Sequence, residues 1–164
     1  MKRIAMVAAL AAAACTTART VEVPAALKPD THETLAMVVP AKGVQIYECR
    51  GEKWTFVAPE AELFDASGKR IGRHYAGPTW EAADGSKVAG SVRQRADAPA
   101  AGAIPWLLLG TKSVGPAGSF SKVTSIQRVN TVGGIAPKNG CSQATVGTPA
   151  RINYMADYYF FTAK

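Results

Sequence analysis

Hydrophobic and polar residues alternate most regularly near the C-terminus. Across residues 150–161, Ile152, Tyr154, Ala156, Tyr158 and Phe160 fall on one face, and Arg151, Asn153, Met155, Asp157, Tyr159 and Phe161 on the other. Successive side chains of a strand point to opposite sides of the sheet, so this period of two predicts a β-strand with two unlike environments. Residues 44–49 alternate in the same way, with Val44 and Ile46 on one face and Gln45, Tyr47 and Cys49 on the other. Before them, Leu35-Ala-Met-Val-Val39 reads as a short apolar strand, with Ala41-Lys42-Gly43 as the turn between the two. Residues 54–57 form a further strand. A hairpin then pairs residues 61–65 with 69–74 around Asp65-Ala-Ser-Gly68, although Pro59 could instead open a helical turn over residues 60–64.

Residues 87–95 carry Val88, Gly90 and Val92 on one face and Lys87, Ser91, Arg93 and Arg95 on the other. Ile104-Pro-Trp-Leu-Leu-Leu109 reads as a buried strand, with Pro105 near its start where no ladder donor is lost. Residues 123–129 alternate weakly through Thr124, Ile126 and Arg128. Neither a three-turn helix nor an internal repeat emerges. About eight to ten short strands separated by turn signals predict an all-β fold, an antiparallel sandwich or barrel with little helix.

Polar and aromatic chemistry concentrates in residues 72–90. Gly77-Pro78 forces a bend, and Asp84-Gly85 has the composition of a tight hairpin turn. Between and around them lie His74, Tyr75, Trp80, Glu81 and Asp84, and His74 is one of only two histidines in the chain. A binding pocket needs apolar walls with a few polar groups, which His74, Trp80, Glu81, Gln45, Tyr75 and Trp106 would supply. A hydrolase is the alternative, with His74 and Glu81 or Asp84 as an acid/base pair acting on a hydroxyl such as that of Thr79. The third reading is structural, with His74 capping a turn and the aromatics filling a core.

The N-terminus changes the picture of where such a domain works. Met1-Lys2-Arg3 is a basic start, and residues 4–14 are apolar and rich in alanine. That run is shorter than the roughly 20 residues a membrane-spanning helix needs, and it has the form of a secretory signal peptide over residues 1–14. Leu10-Ala-Ala-Ala-Ala-Cys15 has the form of a lipoprotein processing box that would lipidate Cys15, with cleavage after Ala14 or Ala18 as the competing outcome. Residues 15–34 then read as the lipidated cysteine and a tether, and 35–164 as a single β-domain. Export into an oxidising compartment leaves Cys49 and Cys141, which are expected to form a disulfide. No Cys-x-x-Cys pair or histidine spacing competes for a metal.

The formal net charge is +7, or +5 once Lys2 and Arg3 leave with the leader. Its basic residues, Arg128 among them, are scattered and read as solvated surface. No basic run with interleaved aromatics suggests nucleic acid.

Several blocks in order carry a resemblance: Gly43-Val-Gln-Ile-Tyr-Glu-Cys49, Ala58-Pro-Glu-Ala-Glu-Leu-Phe64, His74-Tyr-Ala-Gly-Pro-Thr-Trp80, Ile104-Pro-Trp-Leu-Leu-Leu109, Ile126-Gln-Arg-Val-Asn-Thr131 with Gly133-Gly134, Gly140-Cys141, and Ala156-Asp-Tyr-Tyr-Phe160. Over about residues 35–162 the chain resembles a family of exported bacterial and fungal proteins catalogued as domain of unknown function 3455. The resemblance implies export and one domain, and it assigns no catalytic residue. The combined expectation is a lipid-anchored β-domain of the periplasm or cell envelope, touching the membrane through its anchor only. It would bind a small molecule or glycan without a cofactor.

Overall fold

Eight strands follow one another around a closed antiparallel barrel, each bonded to the next and the last back to the first. They are β1 (Glu33–Arg50), β2 (Lys53–Phe64), β3 (Arg70–Tyr75), β4 (Thr79–Ala82), β5 (Lys87–Ala96), β6 (Trp106–Ser113), β7 (Val123–Gly133) and β8 (Pro149–Ala163). The computed structural model describes residues 21–164, so the leader, Cys15 and the first part of the tether lie outside the described residues. The all-β expectation holds, and closure decides for barrel over sandwich. Helix among the described residues is confined to two single 3-10 turns, Ala25–Leu27 and Gln143–Thr145.

The expected turn at Ala41-Lys42-Gly43 does not form. Residues 33–50 make one strand that pairs with β2 on one side and β8 on the other. The glycine serves close approach instead: a Cβ on Gly43 would collide with the Glu60 carbonyl of β2. Residues 54–57 and 61–64 likewise merge into β2, with Asp65 in the turn that follows, and Pro59 starts no helical turn. A proline is tolerated there because, among the described residues, that part of β2 pairs with β1 alone.

The lumen takes the expected face of β8: Tyr154, Ala156, Tyr158 and Phe160 are buried, packed with Val39, Leu63, Trp80, Val88, Leu109 and Ile126. On β1 it takes Gln45, Tyr47 and Cys49, leaving Val44 and Ile46 partly exposed. A second apolar cluster lies outside the barrel wall. There Leu27, reached from Val21 and Val23, covers Trp106, Leu108 and Val129, and its carbonyl accepts a hydrogen bond from Gln127 Nε2.

Both ends of the barrel are closed. At one end Phe120 is buried against Phe160, with ring centroids 4.9 Å apart. Asp84 latches that end: one oxygen accepts from the Ser86 N–H and hydroxyl, the other from the Ser119 N–H and hydroxyl. At the other end Ile104 and Gly134 sit over Tyr154 and Gln45. The loop over residues 134–148 folds down beside them, where Trp54 Nε1 donates to the Asn139 carbonyl and Cys49 is bonded to Cys141.

Candidate functional site

An opening to the lumen lies in the wall. β3 and β4 are short, with six and four residues. Pairing of β2 with β3 stops at Ala61↔His74, and pairing of β4 with β5 stops at Thr79↔Ala89. Beyond the Gly77-Pro78 turn, residues 53–60 of β2 and 91–96 of β5 therefore have no paired strand on the facing flank among the described residues. The result is a lateral window two strands wide.

A pocket of about 350 Å3 opens there. Phe56 and Val57 of β2 and Val92 of β5 rim it, each between 44% and 56% exposed. Leu107 and Leu109 extend the apolar wall, while Gln45, His74, Trp80, Arg128 and Tyr158 line the interior. In the cyclic strand order, β7 and β8 stand opposite the β3–β4 hairpin. Arg128 and Tyr158 are register partners on those two strands, so they face the window from across the lumen.

The floor is an aromatic stack. His74 lies on Trp80 with centroids 4.2 Å apart and planes 16° from parallel, and Tyr158 meets both rings edge-on. Gly90 makes room for it, since a Cβ there would come within 2.8 Å of the indole. His74 Nδ1 lies 2.8 Å from the Thr79 carbonyl, so Nδ1 carries the proton and Nε2 keeps its lone pair. Burial holds the imidazole neutral, pushing its pKa down to about 3, and the Arg128 charge adds to this against the Thr79 carbonyl. Burial likewise pushes the Tyr47, Tyr154 and Tyr158 hydroxyls up, so the lumen carries no anion from them near neutrality.

Arg128 is the exception to this neutral interior. The sequence reads it as surface; the structure turns it inward, in phase with buried Ile126, because the two share the lumen face of β7. Its Nε and Nη2 donate to the Pro105 carbonyl at 3.1 and 2.8 Å. None of the ion pairs among the described residues includes it. Two further donors on pocket-lining residues, Gln45 Nε2 and Trp80 Nε1, are buried without a partner.

The six residues singled out from the sequence separate into three groups. His74, Trp80 and Gln45 meet at the pocket. Glu81 and Tyr75 sit on the outer face of the β3–β4 hairpin. There the Tyr75 hydroxyl donates to Glu81 at 2.6 Å, and Arg73 pairs with the same carboxylate at 3.1 Å, holding its pKa below the usual carboxylate range. Trp106 belongs to the cluster under Leu27. Asp84 is spent on its latch, and its four donors hold it well below the ordinary carboxylate value. Neither acid touches His74, and no hydroxyl among the described residues hydrogen-bonds to it. Arg128 and Tyr158 are the polar pocket residues missed, and an arginine in phase with Ile126 was the available signal. Among the described residues no group of three or more His, Cys, Asp or Glu is placed to hold a metal ion.

The Cys49–Cys141 disulfide fits a non-reducing, exported environment. No curated protein and no solved structure matches the chain. A family model does match, over residues 29–162, and the chain belongs to that family, described as a protein of unknown function, DUF3455.

Proposed function

We propose that this chain is an exported, lipid-anchored envelope protein whose barrel takes up a small, largely apolar molecule through its lateral window. The supporting observation is the pocket itself. It has about 350 Å3 of space behind an apolar rim, with a few polar groups that the protein leaves unpaired. Binding sites have this composition and size, and a close-packed core leaves few voids so large. Export and anchoring rest on the leader, on Cys15 and on the disulfide. In this reading His74 is a stacked, neutral acceptor on the pocket floor, since its partner is a carbonyl and no carboxylate orients it as a base.

Titration with a neutral apolar dye, N-phenyl-1-naphthylamine, tests the proposal. The protein should give saturable, one-to-one fluorescence enhancement. Val92→Trp and Val57→Trp narrow the window from exposed rim positions, where substitutions shift stability by about 0.5 kcal/mol or less. Both should weaken dye binding with an unchanged melting temperature. Absence of saturable binding, or full binding in both variants, would overturn the reading.

A further inference from the structure

Resting on that reading, we propose that the ligand is a monocarboxylate: an acid head seated on Arg128 at the back of the pocket, with an apolar body extending to the window. The unpaired partners in the lumen decide the head. A charge taken out of water is costly unless an opposite charge or a full set of hydrogen bonds receives it. Arg128 has one carbonyl, Pro105, for two of its nitrogens, and Nη1 has no carbonyl or carboxylate among the described residues. Its positive charge reaches His74, Tyr47, Tyr154 and Tyr158, none of which is anionic near neutral pH.

Of the three buried side-chain donors without a partner among the described residues, two line this pocket, and the third, Trp106 Nε1, lies in the cluster under Leu27. Gln45, 2% exposed, and Trp80, 1% exposed, each leave an N–H unpaired on a residue that lines the same pocket. A guanidinium that shares a single carbonyl, beside two buried donors without a geometric hydrogen-bond partner, favours an acceptor-only group. A carboxylate is one, and it matches the planar guanidinium.

Position decides the body. Arg128 faces the window from across the lumen, and between them stand Leu107, Leu109 and Trp80, then the exposed rim of Phe56, Val57 and Val92. A molecule entering head first would put its charge on Arg128 and its hydrocarbon on these walls. At about 30 Å3 per small molecular volume the pocket holds on the order of a dozen heavy atoms. A ten-carbon fatty acid or an aromatic acid has that size, and a long-chain lipid would protrude through the window.

Decanoate and decan-1-ol, compared by displacement of the neutral dye at pH 7.5 from delipidated protein, separate the head from the body. Decanoate should displace the dye at least about tenfold more effectively, as a charge-assisted bond of about 1.4 kcal/mol or more requires. Arg128→Gln should reduce that preference, taken relative to the variant's own dye affinity, to within about twofold, and Arg128→Lys should retain part of it. Equal displacement by acid and alcohol in the unaltered protein would overturn the monocarboxylate assignment, and this comparison needs no variant to fold. A folded Arg128→Gln protein that keeps the full preference would overturn the role of Arg128. If the dye itself fails to bind, the pocket reading falls; if the dye binds without an acid preference, only the head-group assignment falls.

Discussion

The imidazole of His74 is stacked, bonded through Nδ1 and neutral down to about pH 3, whereas in an unfolded chain it would titrate near 6.5. Below that higher value the unfolded chain takes up a proton that the barrel refuses, so stability falls as pH falls. The loss starts near pH 6.5, grows by about 1.4 kcal/mol per unit, and reaches about 2 kcal/mol by pH 5. His74→Phe keeps an aromatic ring on Trp80 and gives up the bond to Thr79, so it should be less stable near neutral pH, with the difference shrinking as pH falls. Its stability measured by urea denaturation should also be flatter between pH 7 and 5 by about that amount. Equal slopes in the two proteins would show that His74 titrates freely in the fold. His74 and Trp80 were legible as residues that come together because bend and turn signals crowd them into one short stretch. Arg128 was not, because a single arginine among scattered cations looks like solvated surface until the strand's phase is known.

Local pairing signals placed most of the strands, and the misses share one cause. Glycine and proline mark turns in a bare sequence, yet Gly43 and Pro59 both sit inside strands. One accepts the close approach of a neighbour, and the other uses a flank that no strand occupies. That vacancy is the window, and it exists because the β3–β4 hairpin is short. At the other end of the hairpin, the turn from β4 to β5 is tied to the barrel end through Asp84. Ser86 and Ser119 supply its four donors, and the Ser86 hydroxyl in turn accepts the Phe120 N–H at 3.0 Å. Asp84→Asn turns an acceptor oxygen into an NH2 group facing donors. It should speed hydrogen exchange at residues 118–121 and lower the melting temperature. The carboxyl is held below its ordinary 3.8, so its contribution is whole above that value and fades as pH drops through the folded value. Asp65 makes only turn-local bonds, to Ser67 and Lys69, so Asp65→Asn should leave exchange at 118–121 unchanged. Unaltered exchange there in Asp84→Asn would mean that packing of Phe120 alone holds this end shut.

Closure of the whole sheet is a long-range property. The alternation of β1 and β8 is readable from each strand alone, but their pairing, Glu33↔Ala163 through Glu48↔Pro149, joins the two ends of the domain and leaves no local trace. The cysteine count gave the one long-range contact that sequence could supply, and the structure has it, Cys49 bonded to Cys141 across 92 residues. The bond encloses β2 to β7 and fastens the 134–148 loop to the end of β1, where Gly147 N–H also donates to the Cys49 carbonyl and Cys49 N–H to the Thr148 carbonyl. Closing a loop on the order of 100 residues removes about 4.7 kcal/mol of unfolded-state freedom in the chain-entropy picture, and native disulfides usually contribute about 2 to 4. In a domain of this size that corresponds to a fall in melting temperature on the order of 10 °C. Cys49→Ser, Cys141→Ser and the double variant should show that fall alike, and reduction of the unaltered protein should reproduce it. The 134–148 loop contributes no residue to the pocket wall, so dye affinity measured well below the transition should be unchanged in all three. Free thiols at both positions in protein recovered from an exporting cell would refute the bond. Variants that melt normally would refute its weight, and lost dye binding in folded variants would show that this loop shapes the window after all.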